Sequence, residues 1–191
     1  MKILVLALSM FLSAQSLAFD HSHGKWTEVL KKYLDSQAFV NYKELKSDLK
    51  KGQHPFTQYL QELSSVSEND YKKWSREQQM AFLINSYNAF TVKLIIDKYP
   101  VESIRDIGSF FSKPWSLQFF TFLGKEMSLD PIEHEMLRPV FKDYRIHGAV
   151  NCASVSCPVL AKKAFTPQNL DDLLDQQMRL WINDPSRNQV G

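Results

Sequence analysis

The run from about Arg76 to Lys98 restricts the fold more than any other part of this chain, because it is helical in pattern and apolar on most of its surface. Ser75 followed by Gln78 forms a capping box at its start. Tyr99-Pro100 stops it, since the residue before a proline disfavours helical backbone. The middle reads Ala81-Phe82-Leu83-Ile84-Asn85-Ser86-Tyr87-Asn88-Ala89-Phe90. On a helical wheel Gln79, Ser86, Lys93 and Asp97 share one narrow side, the expected solvent side. Asn85 and Asn88 fall nearly opposite, with Ala81, Val92 and Ile95. A helix of this kind is core, and the remaining elements must wrap it.

Enough chain is present for one such wrapped domain. The sequence has 191 residues, 44% hydrophobic and 23% charged, which is an ordinary globular balance and excludes disorder. With 23 basic against 21 acidic residues the net charge is +2, so no nucleic-acid partner is expected.

Trp26, Val29, Leu30, Tyr33 and Leu34 mark one face of a first helix. Val40 and Tyr42 read as a short extended piece, and Phe56, Tyr59, Leu60 and Leu63 as a second amphipathic helix with Pro55 near its start. Trp115 to Leu129 reads as a β-hairpin, with Phe119 to Phe122 in its first strand. Asp130-Pro131-Ile132-Glu133 starts another helix, with Asp130 as N-cap and Glu133 completing the cap; Pro139 limits it. Arg145 to Val150 alternates as a short strand, and Arg145 itself reads as a surface or rim cation. Thr166-Pro167 opens a last helix carrying Leu170, Leu173, Leu174, Met178 and Trp181. The expected class is α+β, mostly helical with a small antiparallel sheet.

The first residues form an export signal in this reading. Lys2 precedes an apolar run from Ile3 to Leu12, and Ser16 and Ala18 fit a signal-peptidase site. Residues 1–18 are then a signal peptide and residues 19–191 a single domain. The run falls well short of the roughly 20 residues a spanning helix needs. The mature chain is therefore expected in the periplasm or outside the cell, with no stable membrane span.

Two groups of residues suggest chemistry. Asn85 and Asn88 lie one turn apart on a buried face, where an unpaired amide costs roughly 1–3 kcal/mol. They either clamp loop backbone to the helix, or orient an imidazole or polarise a substrate carbonyl. The second group is Arg145-Ile146-His147-Gly148-Ala149-Val150-Asn151-Cys152-Ala153-Ser154-Val155-Ser156-Cys157-Pro158. It admits four readings: a Cys152–Cys157 disulfide, a nucleophilic thiol paired with His147, a metal site of His147, Cys152 and Cys157 with His134, or simple burial of two small side chains. Neither a cofactor nor a matching zinc spacing is apparent. Glu133, His134 and Arg138 are further candidates on one helix, and Tyr87 reads as core.

Taken together, Ala81 to Ala89, Ser128-Leu129-Asp130-Pro131-Ile132-Glu133-His134 with Leu137-Arg138, Arg145-Ile146-His147, and Asn151-Cys152 through Cys157-Pro158 resemble domain-of-unknown-function family 547, from about Trp26 to near the C-terminus. The resemblance implies an exported bacterial member of a family also found in plants and animals. It brings no established reaction. The family's recurrent polar positions fall on Asn85, Tyr87, Asn88, Glu133, His134, Arg138, His147, Asn151, Cys152, Ser156 and Cys157. Members usually continue with a further aromatic-rich segment, so this chain reads as short at its C-terminus. Members inside cells also carry both cysteines, which argues against a purely disulfide role.

Cys, His and Asn together also suggest a distant or permuted papain- or transglutaminase-like arrangement, since His147 precedes Cys152. Two functions follow as expectations. One is a thiol hydrolase or acyltransferase acting on peptide or amide bonds in the envelope. Cys152 or Cys157 is the nucleophile, His147 the base, Asn85, Asn88 or Asn151 the orienter or oxyanion donor, and Tyr87, Glu133, His134 and Arg138 further binding candidates. The other is a non-catalytic binding module for a peptide or envelope protein, shaped by a disulfide. There Trp115 with Phe110, Phe111, Phe119 and Phe120 would supply an aromatic surface.

Overall fold

The fold is described from a computed structural model, for residues 18–108, 112–154 and 156–187. The expected signal segment up to residue 17, and Phe110 and Phe111, lie outside the described residues. The elements are α1 (Gly24–Tyr33), α2 (Tyr42–Leu49), α3 (Pro55–Ser65), α4 (Glu68–Tyr71), α5 (Arg76–Lys98), β1 (Phe120–Phe122), β2 (Lys125–Met127), α6 (Leu129–Pro131), a π-helical stretch π1 (Ile132–Leu137), α7 (Arg138–Phe141), α8 (Ile146–Ala149) and α9 (Leu170–Ile182). This is the expected class: mostly helical, with one two-stranded antiparallel sheet. Among the described residues no helix is long and apolar enough to cross a membrane.

Helix α5 keeps its expected bounds, and both halves of the Ser75–Gln78 capping box form. At its other end Lys46 Nζ donates to the carbonyls of Ile96 and Tyr99, at 2.9 and 2.8 Å, and satisfies two orphan acceptors. The solvent side needs one correction. Ser86 is fully buried, and every residue from Met80 to Val92 is buried. The wheel missed this because α2, α3, π1 and the short turn Ile104–Ile107 pack around the helix from several directions.

Around it the aromatic side chains do most of the packing. Trp26 of α1 stacks on Phe56 and Tyr59 of α3, with centroids 6.0 and 5.9 Å apart. Phe82 and Phe90 of α5 stack on Phe122 and Phe120 of β1, at 5.2 and 3.8 Å. The hairpin pairs Phe120 with Met127 and Phe122 with Lys125. Its two-residue turn, Leu123-Gly124, has positive φ at both positions (49° and 79°), which matches the right-handed twist of the strands. Short elements account for the differences from expectation. Val40 does bridge to Leu34, but Tyr42 begins α2, which Asn41 caps by accepting the Glu44 N–H. Helices α2 and α4 bury one residue and none respectively, too little to leave a hydrophobic period in the sequence.

Arg145 to Val150 is the larger correction: it is a helical turn, not a strand. The amides of His147, Gly148 and Val150 donate to the carbonyls of Tyr144, Arg145 and Ile146. Gly148 explains why the turn forms here. A Cβ on it would lie 2.7 Å from Met178 Cα, so only glycine lets α8 seat directly on α9. Arg145 is likewise no rim cation. Its guanidinium is mostly buried and pairs with Asp143, Asp171 and Asp175. The last helix begins at Leu170, after Thr166 and Asn169 exchange side-chain to backbone hydrogen bonds.

Candidate functional site

The two buried amides act first on backbone. Asn85 Nδ2–H donates to Phe165 O (2.7 Å), and its Oδ1 accepts the Phe165 N–H (3.0 Å). Asn88 Nδ2–H donates to Ala149 O (2.9 Å), and its Oδ1 accepts the Asn151 N–H (2.8 Å). Each is a two-point clamp, the structural alternative raised by the sequence. Neither amide oxygen or nitrogen is left facing a reacting atom as an oxyanion donor would be.

Asn88 thereby fixes the exit from α8 into the cysteine loop. Asn151 continues the clamp: its Nδ2–H donates to Pro158 O (2.5 Å), and its Oδ1 accepts the Ala153 N–H (2.9 Å). Cys152 and Cys157 are joined in a disulfide, with Cα atoms 5.9 Å apart. Trp181 Nε1–H and the Arg187 guanidinium donate to the carbonyls of Ser156 and Cys157. So the loop is held from within by Asn151 and the bridge, and from outside by α5, α9 and the tail. In this state neither sulfur is a thiolate and neither is a metal ligand. Among the described residues no group of three His, Cys, Asp or Glu is arranged to hold a metal.

Glu133 does not cap a helix as expected. The helix begins two residues earlier than expected, at Leu129, with Ser128 at the N-cap position. It then widens into π1, where Arg138 N–H bonds to Glu133 O, five residues back. Pro139 follows at once and lacks the amide an α-helix would use there, which explains why the turn is wide and why the helix continues past this proline. The wide turn brings Glu133 and Arg138 onto one face. Arg138 donates to Glu133 Oε1 at 2.5 Å, with the Glu133 side chain 12% exposed.

Two neighbours complete this network. The Tyr87 hydroxyl hydrogen-bonds Glu133, and burial followed by that carboxylate pushes its pKa far above the usual phenol range, so it stays a donor. Arg138 also donates to His147 Nδ1 at 3.1 Å. Arginine has no acceptor, so Nδ1 of a neutral His147 must carry the lone pair and Nε2 the proton. Burial, then Arg138, holds the His147 pKa below its ordinary value and keeps the ring neutral. This is the reverse of a thiol-activating imidazole, whose unprotonated nitrogen faces the nucleophile.

In front of the network lies an open cleft of about 830 Å³, lined by Tyr87, Trp115, Asp130, Glu133, His134 and Cys152, with Arg105 and Lys113 on its walls. His147 is set behind this lining, joined to it through Arg138 and Glu133. The sequence blocks therefore converge: α5 gives Tyr87 and Asn88, π1 gives Glu133 and His134, α8 gives His147, and the loop gives Cys152. Asn85 belongs elsewhere, on the Phe165 segment. Arg105 and Lys113 were not identified from sequence. They come from turns remote from every motif block, and nothing in their spacing marks them. Of the proposed aromatic surface, Phe120 is core, Phe119 is partly buried against it, and Trp115 reaches the cleft.

Fold and site thus define a helical domain in which one clamped, disulfide-closed loop borders a polar cleft. The family model described as "Protein of unknown function, DUF547" matches residues 71–182, more than half of the chain, and the protein belongs to that family. No curated protein and no solved structure matches it.

Proposed function

We propose that this protein is a non-catalytic binding module of the cell envelope or the secreted fraction, with the cleft between Trp115 and Glu133 as its recognition site. The observation that carries this reading is the Cys152–Cys157 bridge, which removes both candidate nucleophiles and makes Cys152 part of a cleft wall. A bridge of this kind persists in oxidising compartments, in keeping with the signal-like N-terminal segment. The Nε2–H tautomer of His147 and the backbone-committed Asn85 and Asn88 favour it over a thiol hydrolase or acyltransferase, since base and oxyanion donors are both engaged elsewhere.

Thiol counting tests the choice. The native and the denatured, unreduced protein are both expected to show no alkylatable cysteine. A single rapidly alkylated thiol in the native protein, slowed by His147→Ala, would replace the binding module with the thiol enzyme.

A further inference from the structure

Ahead of α1, the segment Phe19-Asp20-His21 carries a set of nitrogens that nothing in the fold uses. The backbone amides of Asp20 and His21 donate to nothing among the described residues. His21 Nδ1 has no hydrogen-bond partner either. The oxygens of the segment, by contrast, are engaged. The Asp20 carboxylate accepts from the amide and hydroxyl of Ser22, and the Asp20 carbonyl accepts the His23 N–H. Phe19 packs on Trp74 and Phe82, with centroids 5.3 and 5.2 Å away, and the His21 ring stands edge-on to Trp74 at 4.5 Å. Ala18 and Asp20 on either side of Phe19 are exposed.

Cleavage after Ala18, the position that Ser16 and Ala18 mark for a signal peptidase, adds one more nitrogen. It leaves Phe19 with a free α-amine and makes His21 the third residue of the processed chain. An α-amine, the two amides that follow it and the Nδ1 of a third-position histidine close fused chelate rings around a single ion, with all the nitrogens in one plane. That square-planar nitrogen set suits Cu(II) and Ni(II), whereas Zn(II) takes tetrahedral ligands. The ligands belong to consecutive residues, so the chain end folds round the ion and no channel to Nδ1 is needed. Register is strict: cleavage one residue to either side puts the histidine at the wrong distance from the amine.

We infer that the processed N-terminus is a square-planar Cu(II)- and Ni(II)-binding site made of the Phe19 α-amine, the Asp20 and His21 amide nitrogens and His21 Nδ1. The inference rests on the export half of the reading above and is independent of the cleft. Binding sends the proton of the ammonium and those of the two amides to solvent, so affinity rises with pH.

The test uses untagged protein exported with its own signal and checked by intact mass to begin at Phe19. One equivalent of Ni(II) at mildly alkaline pH is expected to give a yellow, diamagnetic complex. One equivalent of Cu(II) is expected to give an electron paramagnetic resonance spectrum split by nitrogen ligands, and to quench Trp74 fluorescence, assigned with Trp74→Phe. His21→Ala should abolish these signals. Two further variants keep His21 and its packing on Trp74. A glycine inserted ahead of Phe19 moves His21 one place from its register, and Asp20→Pro removes an amide nitrogen. Both should lose the square-planar spectra while helical circular dichroism is unchanged. Spectra that survive either variant, or the absence of a one-to-one complex in protein that begins at Phe19, overturn the inference and leave the export reading standing. An exported chain that begins elsewhere also overturns it, because the terminus on which the site depends is then missing. An unprocessed chain refutes the export reading together with the site. Thiol counting decides the cleft separately from all of these.

Discussion

Asn88 shows how much one side chain can organise. It is 3% exposed, and its two hydrogen bonds tie the middle of α5 to the exit of α8. Asn88→Ala strands a carbonyl and an amide in the interior. At roughly 1–3 kcal/mol for each orphan, the expected loss is about 2–6 kcal/mol, read from the urea midpoint. His23 gives a pH signature at the same scale. It is 1% exposed and paired with the Tyr59 hydroxyl at 2.7 Å, and burial lowers its pKa to about 3. The unfolded chain takes a proton near 6.5 while the folded chain refuses it down to about 3, so stability is fully present above that window and falls as pH drops through it. Carboxylates contribute only near and below about pH 4. Urea titrations between about pH 7 and 5 should therefore show a loss that His23→Gln reduces; an unchanged slope in that variant would refute the assignment.

At the level of elements, α8 and α9 meet by close backbone approach, a Cβ on Gly148 falling 2.7 Å from Met178 Cα. Gly148→Ala has to push Met178 backbone aside, with an expected cost of about 1–3 kcal/mol and faster amide exchange confined to α8 and α9. Exchange spread evenly over the molecule would contradict that placement. The same contact shows what the sequence could and could not disclose. Helix α5 was legible because its caps and apolar residues are local signals, and so was the hairpin with its Leu123-Gly124 turn. Residues 145–150 alternate like a strand, and only the long-range seat on α9 makes them helical. The π turn was equally hidden, since Asp130, Pro131 and Glu133 mimic a regular cap. For the site, the polar residues were legible by type and order. Their pairing was not: Tyr87, Glu133, Arg138 and His147 meet only after three separate elements have packed.

Over the whole molecule, stability depends on a loop that touches distant parts of the chain. The bridge closes only a short segment, with a sequence separation of 5, for which chain entropy supports about 2 kcal/mol. Reduction, or Cys152→Ser with Cys157→Ser, should therefore lower the unfolding free energy by about that amount without abolishing folding, because Asn88, Asn151, Trp181 and Arg187 still hold the loop backbone. Collapse of the fold on reduction, seen as loss of helical circular dichroism at room temperature, would mean that these four contacts contribute far less than their geometry implies. The closed ring has one more consequence. A protease that nicks the chain anywhere between Cys152 and Cys157 releases nothing: the two fragments travel as a single band on a non-reducing gel and separate only when a reductant is added.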